Sequence, residues 1–208
     1  MPYGFCMSST NTDRRLLSSS TLASACDEGE DVATWAMGNA AWNAGNHTNT
    51  NFPWDEDCRF YLRNHTMRVA NLILKRIHEV PFDEGDPDFN KRTTGEAYFM
   101  RAMLLWEGVY RYGGMPIVRD VIDPTDFSQR PRNSFSDCID SILIDCDRAT
   151  QYLPDYYTDN AKLGRATRIA ALALKARVLL YAASPLFNTS TPYMSFPGHE
   201  NLIGYGNY

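Results

Sequence analysis

Gly95-Glu96-Ala97-Tyr98-Phe99-Met100-Arg101-Ala102, continuing through Met103–Trp106 to Arg111-Tyr112-Gly113-Gly114-Met115-Pro116-Ile117-Val118, reads as a helix, a hard stop and an extended exit. Just before it, Thr93-Thr94-Gly95-Glu96 has the form of a capping box, in which a threonine hydroxyl and a glutamate satisfy helix-end amides reciprocally. Gly113-Gly114 permits a sharp reversal, because glycine has no Cβ to clash at positive φ. Pro116, with φ fixed and no amide hydrogen, holds the following chain extended. Glu96 and Arg101 flank the helix and are placed to pair with neighbouring helices. The stretch predicts a helix over 94–112 and an extended piece over 115–121.

Working outward, the same apolar periodicity recurs. Phe60, Met67, Ile73, Leu74 and Ile77 return at three, four or seven residues until Pro81, which predicts a helix near 54–80. The acidic stretch Asp83–Asp88, with Gly85 and Pro87, reads as a loop. Ser134-Phe135-Ser136-Asp137 is a second cap signal and Leu153-Pro154 a stop, giving a helix near 134–153. A fourth, near 167–183, is almost all Ala, Leu, Val, Lys and Arg and ends at Ser184-Pro185. Before Trp54 the chain is rich in Ser, Thr, Asn and Gly, with one short helix expected near Ser18–Ala25. Beyond Asn188 the tail is Pro, Gly, Ser and Tyr without periodicity. The expected organisation is one domain, 1–208, with a loop-rich flank (1–53), a helical body (54–188) and an irregular tail (189–208).

Residues 97–105 echo residues 171–179: Ala97 meets Ala171, Arg101 meets Lys175, Ala102 meets Ala176 and Leu105 meets Leu179. The offset of 74 residues is about twice the roughly 34 of a tetratricopeptide-like helix pair. Consecutive helices with short links favour antiparallel pairs. The fold class expected is therefore all-α, built of tetratricopeptide-like helix-pair repeats (an α-solenoid) behind a loop-rich N-terminal flank.

Composition sets limits. Apolar residues make up 44% of the chain, enough for a core. A formal charge of −5 argues against nucleic acid, whose phosphates call for a surplus of Lys and Arg. No stretch approaches the roughly 18 consecutive apolar residues of a membrane span. Met1-Pro2-Tyr3-Gly4-Phe5-Cys6 has neither the basic start nor the apolar run of a signal peptide. Cys6, Cys26, Cys58, Cys138 and Cys146 form no CxxC pair, and four scattered histidines complete no metal set, so buried or semi-buried free thiols and no metal or other cofactor are expected. Cys138 and Cys146, eight residues apart, lie too far apart along one helix for a bridge.

Four ordered motifs resemble the SusD/RagB family of Bacteroidetes nutrient-binding proteins. The stretch Gly95–Val118 resembles that family's GEAxFLRAxxYFxLVxxYGGVPLV signature. Leu22-Ala23-Ser24-Ala25-Cys26-Asp27-Glu28 resembles its LASASDEA segment, and Trp54 to Asn71 resembles its W…YxxIRxAN helix. Gly164-Arg165-Ala166-Thr167, Ala170–Tyr181 and Ala182-Ala183-Ser184-Pro185-Leu186-Phe187-Asn188 resemble its GRATKxAAxALxARVxLYAASPLFN helix. The resemblance spans roughly residues 3–188. It implies a surface-exposed outer-membrane lipoprotein that delivers oligosaccharide to a TonB-dependent, SusC-like transporter. It also implies an N-terminal lipid anchor and a longer chain. Cys6 lacks a preceding apolar region and is not read as the lipidation site, so the chain is expected to be the helical-repeat portion of a larger protein.

Catalysis finds little purchase. Asp55, Glu56 and Asp57 cluster at a helix start, where acids stabilise the positive end of the helix dipole, whereas a glycosidase holds two carboxylates across a cleft. Asp83, Glu84, Asp86 and Asp88 lack calcium-loop spacing and read as a solvated loop. No nucleophile elbow or Gly-rich phosphate loop is present. Binding has more support: segment 35–54 mixes Trp35, Trp42 and Trp54 with Asn43, Asn46, His47, Asn49 and Asn51. Flat aromatics cover the C–H face of a sugar, and amide or imidazole groups hydrogen-bond its hydroxyls. Trp35 and Trp54 read as core anchors; Trp42 is open to either role. The family's placement of part of its glycan site after the SDEA segment adds Asp27, so the candidates are Asp27, Trp42, Asn43, Asn46 and His47. The alternative is a helical-repeat module for protein–protein contact with no ligand of its own.

Overall fold

The computed structural model describes residues 60–205, apart from 124, 127, 193 and 194. The chain divides into two compact units, 1–63 and 64–208, and every described residue beyond 63 belongs to the second. The expected short helix at Ser18–Ala25 and residues 54–59 of the first predicted helix lie outside the described residues.

The described elements are helices, with no strand among them. Helix α1 (Phe60–Arg76) passes into a 3-10 turn at Ile77–Glu79, where Arg76 pairs with Glu79 at 2.7 Å. Helix α2 runs Phe89–Tyr112, α3 Phe135–Tyr152 and α4 Arg168–Ala182. A 3-10 turn at Asn160–Lys162 precedes α4. The cap predicted at Ser134 forms, its hydroxyl accepting from the Asp137 amide at 3.0 Å, and α4 has a cap that the sequence reading did not name, the Thr167 hydroxyl accepting from the Ala170 amide at 3.1 Å.

The capping box expected at Thr93–Glu96 does not form. Helix α2 begins five residues before the predicted start, so Thr93 and Thr94 lie inside it and the Thr94 hydroxyl donates to the Asn90 carbonyl at 2.8 Å. The helix start is set instead by the Asp83–Asp86 turn and by an ion pair from Asp86 to Arg92, 2.5 Å long. An acid at a helix N-terminus also favours the macrodipole. At the other end Gly113, at φ 75°, donates its amide to the Val109 carbonyl at 2.8 Å. A Cβ at Gly113 would overlap the Leu202 carbonyl oxygen, and one at Gly114 would overlap that of Asn133. The double glycine thus serves close packing as well as the turn.

Helix α3 sits between α2 and α4. Gly95, near the start of α2, lies against Leu153, just past the end of α3. Ala149, late in α3, packs with Ala171, early in α4. Both neighbours therefore run antiparallel to α3. The core interleaves Ala102, Leu105, Trp106 and Val109 of α2 with Phe135, Cys138, Ile139, Ile142 and Cys146 of α3, and with Val178 and Ala182 of α4.

The tail is more ordered than its composition suggests. A short helix, α5 (Glu200–Ile203), buries Leu202, whose carbonyl accepts the Gly114 amide at 2.7 Å. Tyr205 donates its amide to the Phe187 carbonyl at 3.1 Å and sets its ring edge-on to Phe135 at 5.4 Å. These anchors are long-range, so no local periodicity announces them.

Candidate functional site

Asp27, Trp42, Asn43, Asn46 and His47 lie outside the described residues, as do Cys6, Cys26 and Cys58. Within the described residues, a group of polar side chains forms a buried centre around Arg101. Burying a charge stabilises only when it is paired and hydrogen-bonded, and this centre meets that condition. The Asp145 carboxylate, projecting from α3, accepts the Arg101 Nε and Nη2 hydrogens at 2.7 Å each, a bidentate fork. Arg101 and Asp145 expose 6% and 2% of their side chains.

The remaining donors and acceptors reach outward. Arg101 Nη1 donates to Asn71 Oδ1 on α1 at 3.0 Å. Asn71 Nδ2 then donates to the Val118 and Asp120 carbonyls at 3.0 and 3.3 Å. Arg119 donates to Asp145 at 3.3 Å and to the Ser141 hydroxyl at 2.7 Å. The extended segment after Gly113-Gly114 is laced down by further bonds. The Asn133 side-chain oxygen accepts the Ile117 amide at 2.9 Å, the Cys138 thiol accepts the Met115 amide at 3.2 Å, and Arg68 donates to the Ile122 carbonyl. One aspartate, two arginines and one asparagine therefore tie α1, α2, α3 and the exit segment together.

The chemistry of this centre is positional. Its one carboxylate is flanked by two guanidiniums, which hold it in place between the helices. Burial, reinforced by the charges of Asp145 and Asp147, pushes the Cys146 thiol up to about 12. Burial also raises the thiol of Cys138. Both cysteines are free and buried, as expected. Glu96 and Arg101, the two charges flanking the signature helix, each find a partner on a neighbouring element: Glu96 takes a two-pronged bond from Arg165, 2.6 Å on each arm. Sequence reading missed Asp145, Asn71 and Arg119. The available signal was Asp145 itself, a lone acid set into the apolar stripe Ile142, Cys146 and Ala149.

The acidic loop is likewise occupied by its own chain. Asp83 closes a turn on the Gly85 amide at 2.9 Å. Asp86 is held at a pKa of about 2 by its hydrogen bonds from Arg92, with the charges of Arg92 and Lys162 adding to the effect. Among the described residues no group of three or more His, Cys, Asp or Glu side chains could hold a metal ion. Nor is any described helix long and apolar enough to cross a membrane.

Comparison with known proteins extends this scaffold to a family. The family described as SusD-like, starch-binding and associating with the outer membrane, matches residues 10–180. A SusD-like protein from Bacteroides fragilis is 41% identical over 55% of this chain and 22% of its own, with a TM-score of 0.51. The protein BT4246 is 28% identical over 80% of this chain and 28% of its own, at a TM-score of 0.64. A laminarin-binding SusD-like protein is 24% identical over 71% of this chain and 31% of its own, at a TM-score of 0.60, and at that identity shares the fold. The chain thus spans less than a third of the length of each of these. No protein of curated function matches it. With the family matching most of the chain and the helical scaffold agreeing with solved relatives, this chain belongs to the SusD-like family.

Proposed function

We propose that the protein captures glycan at the outer surface of the outer membrane and passes oligosaccharide to a TonB-dependent, SusC-like transporter, without hydrolysing it. The observation that carries this reading is the match of residues 10–180 to a family described as starch-binding and associating with the outer membrane. The relative described as laminarin-binding agrees in class, without fixing the sugar here. The division of labour within the chain fits as well. The helical body spends its buried charges on holding itself together, which leaves capture to Asp27, Trp42, Asn43, Asn46 and His47. A lipid anchor ahead of the matched region would hold the protein at the membrane.

The test is calorimetric titration of the complete polypeptide with amylose, laminarin and other soluble polysaccharides, with Trp42→Ala alongside. Truncating an aromatic anchor at a binding site commonly costs about 2 kcal/mol, about thirtyfold in affinity. A core tryptophan would instead cost about 3–5 kcal/mol of stability. Thirtyfold weaker binding at an unchanged Tm supports capture through Trp42. Unchanged affinity with a sharply lowered Tm removes Trp42 from the site. Reducing ends released steadily by the pure protein would overturn the non-enzymatic reading. The second reading, a contact module without a ligand, draws on the outer face of α4, where Ile169 and Leu180 are 60% and 76% exposed. Failure to bind any polysaccharide, with the transporter still co-purifying, would favour it.

A further inference from the structure

Beside the buried centre, one guanidinium is held in place without a counter-ion. Arg148 projects from α3 one turn beyond Asp145, and its guanidinium carbon stands 5.5 Å from the centre of the Tyr98 ring on α2. Arg101 approaches the same ring at 5.4 Å. Tyr152, a further turn along α3, stacks on Tyr98 with ring centres 6.0 Å apart and planes inclined by 30°. A cation over an aromatic face is attracted by the ring quadrupole. Arg148 and Tyr152 are four residues apart, so they share one face of α3 and meet Tyr98 together.

The two acids nearest to Arg148 along α3 are engaged elsewhere, Asp145 by Arg101 and Arg119 and Asp147 by Lys175. Among the described residues Arg148 makes no ion pair, and the hydroxyls of Tyr98 and Tyr152 have no hydrogen-bond partner. Arg148 and Tyr152 are exposed and Tyr98 is half-buried. Around Tyr98 and Asp145, the three guanidiniums of Arg101, Arg119 and Arg148 stand against one carboxylate, a surplus of two positive charges. On a chain whose formal charge is −5, such a local surplus draws anions to one place. Every free polar group in the cluster can donate: a guanidinium has only hydrogens to give, and a phenol has one. A ligand that fits must bring acceptors, a negative charge and a flat apolar face for Tyr152.

We propose that Tyr98, Arg148 and Tyr152 form a subsite for an acidic sugar, a uronic-acid residue of a polysaccharide. Its planar carboxylate matches the fork of Arg148, where a lysine would offer only a point charge. Its C–H face lies on the exposed Tyr152 ring, and its ring oxygens accept from the two phenols. Tyr98 holds the other two side chains in register, which lowers the ordering cost of binding. The subsite rests on the capture reading above and adds to it a preference for charged over neutral glycan.

The test is calorimetric titration of the complete polypeptide with an oligogalacturonide, with its uncharged methyl ester and with a sulfated oligosaccharide of equal length. The oligogalacturonide should bind at least about tenfold more tightly than the ester, and Arg148→Gln should abolish that preference at an unchanged Tm. Arg177→Gln, which removes an exposed guanidinium from α4, should leave the preference intact. Equal affinity for acid and ester overturns the subsite, as does an equal loss in both variants, which would mean that only overall charge is felt. Tighter binding of the sulfated sugar also overturns it, by assigning the recognised charge to a sulfate ester. Neutral polysaccharide bound with no response to Arg148→Gln, and no binding of the acid, removes the subsite and keeps capture. Failure to bind any glycan removes both.

Discussion

Two arginine–carboxylate pairs in this protein share a geometry and differ in surroundings. Arg101 grips Asp145 with two bonds of 2.7 Å, and Arg165 grips Glu96 with two of 2.6 Å. The first pair is at the centre of the helical body, exposing 6% and 2% of its side chains; the second faces water, with 41% and 19% exposed. Distance alone would rate them equal. The surroundings decide otherwise: water competes for the outer pair at every moment and is absent from the inner one. A buried pair is not a large net gain over apolar packing, because desolvation offsets most of its attraction. Its importance appears when it is broken, since the remaining charge then has neither partner nor solvent.

The largest expected effect comes from breaking the inner pair. Asp145→Ala strands Arg101 and leaves Arg119 without its carboxylate, and should cost about 3–5 kcal/mol in urea unfolding. It should also loosen residues 115–122, seen as faster amide exchange there, because Asn71 is aligned by Arg101 and itself holds the Val118 and Asp120 carbonyls. A loss below about 1 kcal/mol would put the inner pair on the footing of the outer one and remove the contrast.

A middle-sized effect comes from the same interface without charge. A Cβ at Gly95 would sit 2.8 Å from Leu153 Cγ and 2.9 Å from Tyr152 Cβ. Alanine favours a helix over glycine by about 1 kcal/mol, yet overpacking a closed contact costs about 1–3 kcal/mol. The Tyr152 Cβ is tied to its backbone and cannot swing aside, so the clash wins and Gly95→Ala should lower Tm. An unchanged or raised Tm would show that α2 and α3 part easily at this end.

Legibility in the sequence divides along the same line between local and distant causes. Helix α3 is readable because its Ser134 cap acts within three residues, and α4 because its run of Ala, Leu, Val, Lys and Arg ends at Ser184-Pro185. The stop at Gly113-Gly114 is readable too, although its demand for glycine comes as much from the Leu202 and Asn133 carbonyls pressed against it. The α2 start is misplaced by sequence because Thr93–Glu96 fits a local rule, while Asp86 and Arg92 secure an earlier turn. Glu96 and Arg101 are recognisable as pairing residues, but their partners stand 69 and 44 positions away, beyond any periodicity. Leu202 and Tyr205 escape notice for the same reason. Of the candidate site, the residue types suited to a sugar are legible in 27–47, which lie outside the described residues.

The smallest expected effect tests the outer pair, through Glu96→Gln. The amide keeps an acceptor for Arg165 and removes the charge, so stability should fall by less than about 1 kcal/mol, and by less still in high salt, which screens what remains. A second readout separates this from a change that does nothing. The Tyr157 phenol lies near the pair, and its pKa is raised by burial first and by the Glu96 charge second, while Arg92 and Arg165 pull it down. Glutamine removes an upward influence and leaves both downward ones, so the Tyr157 phenolate should form at lower pH in the variant, as its absorbance would report. A shifted phenol with near-native stability is the signature of a charge that is felt by its neighbours and contributes little to holding the fold. A loss above about 2 kcal/mol would instead mean that Glu96 and Arg165 are shielded from water in solution and belong with the buried centre.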